Sequence, residues 1–239
     1  MRKLKYNIVI QKINDILKVN IHTSWLSSEN CKQIILLIII ALWMNQLKAN
    51  CLMQNDKNNE QKPDTAIFGA GCFWCTEAFF TRLKGVVKVE PGYSGGNVPN
   101  PTYEEVCTGK TGHAEVCRII FDPQTISYLK LLEVFWQVHD PTTLNRQGND
   151  AGTQYRSVIF YNSEEQKKDA EETKRKLEAE HIWEDPIVTQ IVCLEKFYAA
   201  EDYHRDYYDK NPNQPYCSYV ITPKLKKFEK TFEENLKAH

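Results

Sequence analysis

The sequence is poor in the features that mark several large classes of protein. Its 239 residues carry a formal net charge of −1, so no long-range field draws it to nucleic acid or an anionic membrane. It has no glycine-rich dinucleotide loop, no internal repeat and no low-complexity tract in its main domain. No second C-x-x-C and no H-x-x-x-H accompanies its one C-x-x-C, so a zinc site would lack half its ligands. Its longest apolar run, Ile34 to Met44 (IILLIIIALWM), is too short to cross a bilayer comfortably.

That run does suit the apolar region of a signal peptide. Lys32 precedes it, and Cys51 follows in LKANC, a loose likeness to a lipoprotein cleavage site that Asn50 fits poorly. The alternative is an upstream extension, or a misassigned start, that never folds with the domain. Export or anchoring is favoured over a cytoplasmic location. Gln54 to Asp64 is polar, charged and free of large aliphatics, as a solvated linker should be. Residues 1–64 are therefore read as an extension and 65–239 as one domain.

From Thr65 the pattern is mixed. Short apolar or alternating runs at Thr65–Gly71, His113–Asp122, Tyr155–Tyr161 and Ile187–Leu194 predict strands. Helical spacing predicts helices over Phe73–Leu83, Ser127–His139 and Ala199–Asp209, with Gln147–Gln154 a loop. A long charged helix opens at Ser163, with Gln166 as capping-box partner. The irregular interleaving indicates α+β, a mixed sheet flanked by helices, rather than a doubly wound parallel sheet.

Eight cysteines are present: Cys31, Cys51, Cys72, Cys75, Cys107, Cys117, Cys193 and Cys217. Cys107, Cys117 and Cys193 lie inside apolar or secondary-structure patterns and are expected to be inert, buried packing. Cys72 stands where a predicted strand hands over to a predicted helix. Free N–H groups and the helix dipole there would lower its pKa. Gly71 leaves the sulfur accessible, and Phe73 and Trp74 suggest an apolar pocket for a small alkyl or thioether group. Cys75 completes C-F-W-C and reads three ways: a redox pair, half a zinc site, or a neighbour without chemistry.

Gly71-Cys72-Phe73-Trp74 with Glu77 resembles the active-site segment of A-type methionine sulfoxide reductases. The resemblance recurs in GYSGG (92–96), PTYEEVCTGKTGHAEV (101–116), QGNDAGTQYRS (147–157), AEDYHRDYY (200–208) and NPNQPYC (211–217), covering nearly the whole domain. Cys75 departs from the glycine of many relatives. The resemblance implies a ferredoxin-like α/β sandwich and a monomer. It implies Cys72 as nucleophile, Phe73 and Trp74 as the methyl pocket, and Glu115 as proton donor. Tyr103 and Tyr155 would hold the sulfoxide oxygen, Asp150 would orient substrate, and Cys217 would resolve the intermediate.

Such a reaction needs these groups. The Cys72 thiolate can attack sulfur only as a proton reaches the departing oxygen. The acid must stay neutral near pH 7, which burial provides. A sulfenic acid would form on Cys72, a second thiol would convert it to a disulfide, and thioredoxin, or dithiothreitol in vitro, would reduce that. No bound cofactor or metal is implied, and the substrates would be oxidised proteins and free methionine sulfoxide. His204 is expected to hydrogen-bond in the core or support the Cys217 segment, a Pro-rich stretch read as mobile. Two other classes remain: a dithiol oxidoreductase using Cys72 and Cys75 alone, and an exported binding domain with structural cysteines.

Overall fold

A six-stranded sheet organises residues 62–238, the part of the chain that the computed structural model describes. Its strands are β1 (Asp64–Ala70), β2 (Val86–Ser94), β3 (Ala114–Phe121), β6 (Ser157–Tyr161), β7 (Gln190–Cys193) and β8 (Phe197–Ala199). Two further strands, β4 (Arg146–Gln147) and β5 (Asp150–Ala151), form a separate small hairpin. The sheet order is β7-β6-β1-β3-β2-β8, antiparallel except for the β6–β7 pair. Six helices accompany it among the described residues: α1 (Phe73–Phe80), α2 (Tyr103–Cys107), α3 (Tyr128–Val138), α4 (Glu164–Ala179), α5 (Tyr207–Lys210) and α6 (Thr222–Thr231). The arrangement is α+β, as expected.

β1 is paired on both edges and buried on both faces, which is why it reads as a continuous apolar run rather than an alternation. One face carries the main core. There Phe68 meets Phe135 at 5.0 Å and Phe80 at 5.7 Å, joining β1 to α3 and α1. Burying each such ring stabilises the fold by roughly 1.5–3 kcal/mol. Ile67, Ala114, Val116, Val158 and Phe160 form a smaller cluster with Leu194 and Phe197.

Helix starts follow their caps. The Ser127 hydroxyl accepts from the Lys130 N–H, and that of Ser163 from the Gln166 N–H. The Gln166 side chain, however, accepts from the Asn162 N–H rather than from Ser163, so the expected capping box is displaced by one residue. A complete capping box stands at Thr102–Glu105 instead.

Three expectations are corrected. β2 was not anticipated, because Pro91 in VVKVEPGYS argues against an interior strand. Tyr155 lies in a 3₁₀ turn, Thr153–Tyr155, and the strand starts two residues later. Ala199–Asp209 is not one helix. β8 ends at Ala199, a 3₁₀ turn covers Asp202–His204, and Asp206 at φ 54° breaks the path before α5. The physical reason is a competing bond, since the Asp206 N–H donates to the Glu77 carboxylate on α1.

Among the described residues no helix is long and apolar enough to cross a membrane. The 34–44 segment, Cys31 and Cys51 lie outside the described residues.

Candidate active site

Cys72 sits between β1 and α1, as the N-cap residue of the helix. Gly71 makes this turn at φ 91°, and a Cβ there would meet Gln147 carbons at 2.7 Å. Glycine is therefore required on both counts. The Cys72 carbonyl accepts from the N–H groups of Cys75 (3.1 Å) and Thr76 (3.3 Å), starting the helix, while its thiol makes no capping bond. The residue is 8% exposed.

The expected thiolate is not the resting state. Burial pushes the Cys72 thiol well above its usual range, and Cys75 adds to this. The Trp74 N–H and the Tyr216 hydroxyl pull weakly the other way. A bond from Cys72 pulls the Cys75 thiol down, against its own burial. Desolvation outweighs the helix terminus here.

Glu115 lies on β3 opposite Tyr93 of β2 and is 1% exposed. Its Oε2 accepts from the Phe73 N–H at 3.0 Å, satisfying one of the free donors of α1. Burial raises its pKa well above the carboxylate range, and a charge on Cys72 would raise it further. The shift favours the neutral carboxylic acid, the form that can donate a proton, beside a thiol. Charge repulsion is reciprocal, so a neutral Glu115 also eases ionisation of Cys72.

Tyr103 opens α2 and Tyr155 closes the 3₁₀ turn, and both are half-buried. Burial, then contacts that include the Glu115 charge, hold both phenols firmly protonated, so each remains a hydrogen-bond donor. Phe73 stacks on Tyr103 at 6.3 Å. Trp74 is clasped by the C-terminal segment. Its Nε1–H donates to His204 Nδ1 at 3.0 Å, and its ring lies flat on Tyr207 at 3.7 Å and 6°. Burial keeps His204 below its ordinary pKa, hence neutral, as an accepting Nδ1 requires. The expectation of a core hydrogen bond for His204 is met.

Asp150, in the β4–β5 hairpin, accepts from the Tyr216 hydroxyl at 2.5 Å. That hydroxyl also lies 4.0 Å from the Cys75 sulfur. Tyr216 thus spans the thiols and Asp150, a placement the sequence reading missed. Its adjacency to Cys217 was the available signal. Cys217 is 0% exposed and begins a π-helical turn, Cys217–Ile221. Gln214 Oε1 accepts from the Tyr216 and Cys217 N–H groups, at 2.7 and 3.3 Å. The segment is therefore an ordered turn rather than the loose stretch its composition suggested. Burial pushes the Cys217 thiol up.

All six described cysteines are free. Cys117 is buried and donates to the Phe73 carbonyl at 3.5 Å. Cys107 and Cys193 are exposed, against expectation. α2 buries only Val106, and β7 is an edge strand, so neither element has a second covered face. No group of three or more His, Cys, Asp or Glu able to hold a metal occurs among the described residues.

A thiol and a buried carboxyl with a raised pKa meet at one helix start, with two phenols within electrostatic reach of that carboxyl. The sequence model of the peptide methionine sulfoxide reductase family matches residues 64–236. Peptide methionine sulfoxide reductase MsrA of Sulfolobus acidocaldarius is 62% identical over 175 residues, 72% of this chain and 96% of that protein. The MsrA of Saccharolobus solfataricus is 59% identical over 176 residues, covering 74% and 98%. Among solved structures, the reduced form of Mxr1 from Saccharomyces cerevisiae superposes with a TM-score of 0.60 at 34% identity, covering 69% of this chain and 92% of that one. The chain belongs to the peptide methionine sulfoxide reductase family, A type, and is an oxidoreductase.

Proposed function

We propose that the domain, residues 65–239, reduces methionine-(S)-sulfoxide, free or in proteins, with Cys72 as nucleophile and Glu115 as proton donor. The observation that carries this is the buried Glu115 carboxyl, bonded to the Phe73 N–H and raised in pKa beside the Cys72 thiol. Cys72 attacks the sulfoxide sulfur as Glu115 protonates the oxygen, releasing methionine and leaving a sulfenic acid on Cys72. Tyr103 and Tyr155 donate to the oxygen as charge builds on it. Phe73 and Trp74 receive the methyl group, and Asp150, on displacing Tyr216, orients the rest of the substrate.

Cys217 then attacks the sulfenic acid, forming a disulfide and releasing water. A thioredoxin-type dithiol reduces that disulfide and is itself oxidised. No bound cofactor enters the cycle. Family resemblance supports Cys217 in this role, and the Tyr216 contacts bring its neighbour to the thiols. A second reading gives the resolving role to Cys75, favoured by the side-chain hydrogen bond between its thiol and that of Cys72. Residues 1–64 serve export or anchoring through the 34–44 segment.

Assay of purified protein with both epimers of N-acetyl methionine sulfoxide and dithiothreitol tests the proposal. Phe73 and Trp74 fix the methyl while Glu115 and the tyrosines fix the oxygen, so only the S epimer aims its sulfur at Cys72. Comparable turnover of both epimers would contradict this pocket.

A further inference from the structure

Glu77 is absent from the mechanism above, yet it is 2% exposed and lies one helical turn beyond Phe73. Burying a carboxylate is expensive unless strong hydrogen bonds compensate. Here the compensation comes from across the molecule. Glu77 Oε1 accepts from the Asp206 N–H at 2.9 Å, and the Tyr207 N–H also favours its charged form. These two N–H groups belong to the turn that breaks the expected 199–209 helix, where Asp206 holds φ 54°.

That turn carries both groups that fix Trp74. Tyr207 stacks on the indole, and His204 receives its N–H. His204 also meets Phe73 at 4.8 Å and Tyr103 at 4.5 Å. We propose that Glu77 is a positioning residue for substrate binding, fastening the 204–207 turn to α1 and so holding Trp74 as one wall of the methyl pocket. The inference rests on the pocket reading above. It assigns Glu77 no contact with substrate.

The clamp is sensitive to pH. Burial lifts the Glu77 carboxyl to about 7, with Asp206 and Asp209 adding repulsion. The other charged or titratable groups facing it are Cys117 of β3, and Arg82 beyond the end of α1, which is paired with Asp209. Lys210 lies 3.8 Å from Asp206. Above pH 7 the carboxylate accepts both N–H groups. Below it, protonation turns one oxygen into a donor and weakens the clamp. The sign for stability is opposite. A carboxyl whose folded pKa exceeds its unfolded value of about 4.3 destabilises the fold as pH rises between the two values. Acidification from 8 to 6 therefore loosens substrate binding without weakening the fold through this group.

The test is Glu77→Gln, assayed with N-acetyl methionine-(S)-sulfoxide at saturating dithiothreitol. Loss of binding common to ground and transition states raises KM and spares kcat. The expected result is a KM raised about tenfold with kcat within about twofold. In the unmutated protein KM rises as pH falls from 8 to 6, and in Glu77→Gln that rise disappears. An unchanged KM, or a fall confined to kcat, overturns the proposal. If Glu77→Gln fails to fold, Tyr207→Leu decides, because it removes the stacking on Trp74 and leaves Glu77 in place. It should show the same KM-only defect, and a normal KM overturns the proposal. If the unmutated protein does not reduce the S epimer, the pocket reading fails instead, which is a separate outcome.

Discussion

The two halves of the site are built from different kinds of backbone. Phe73 and Glu115 stand on α1 and β3, regular elements in the interior of the fold, and Cys72 is the residue that opens α1. His204, Tyr207, Tyr216 and Cys217 stand on a chain of short pieces: a 3₁₀ turn, an αL residue, a four-residue helix and a π-helical turn. The first half is held by sheet pairing and aromatic packing. The second is held by a few side-chain bonds, from Glu77, Gln214 and Asp150. Attack and proton transfer need reacting groups fixed within a few tenths of an ångström. Resolution needs a second thiol, and Cys217 is held for it on an ordered turn by side-chain bonds rather than by sheet pairing.

The largest effect should come from the regular half. Glu115→Gln keeps the shape and the bond from the Phe73 N–H but cannot protonate the leaving oxygen, so single-turnover release of methionine should fall by about 10²- to 10⁴-fold. A near-normal rate at neutral pH would remove Glu115 from the mechanism. The unmutated enzyme should also lose single-turnover rate at alkaline pH. Burial raises the Glu115 pKa, so its proton is held to higher pH than in a free carboxyl and is lost as pH climbs further. A rate that only rises with pH would show that thiolate supply alone matters.

In the irregular half, Cys217→Ser should leave release of one methionine per enzyme intact and abolish turnover with thioredoxin, while Cys75→Ser retains most turnover. Normal turnover of Cys217→Ser would erase the division of labour between the halves. The smallest effect belongs to Tyr216→Phe, which cuts the bond to Asp150. Loss of a hydrogen bond to a charged, partly exposed group should cost about 1–2 kcal/mol, read as a lower urea midpoint. No change would mean that this bond does not hold the turn.

The regular half was largely legible in the sequence. Apolar runs marked β1 and β3, Ser127 and Ser163 marked helix starts, and the Gly71-Cys72 junction marked the thiol. What was misread depends on partners far along the chain. The Glu77 carboxylate breaks the 199–209 helix from 129 residues away, which no local spacing reveals. Pro91 hid β2. The Cys72 pKa was misjudged because burial, a tertiary property, outweighs the helix terminus that local sequence does reveal. Cys107 and Cys193 looked internal by pattern, but their elements cover only one face.

The contrast between the halves turns on which thiol closes the disulfide. Two candidates lie near Cys72: Cys75 within the first turn of α1, and Cys217 in the π-helical turn. One equivalent of methionine-(S)-sulfoxide added to the reduced, unmutated protein, followed by alkylation and peptide mass spectrometry, reads the pairing directly. The account predicts a Cys72–Cys217 disulfide with Cys75 alkylated. A dominant Cys72–Cys75 bridge would contradict it.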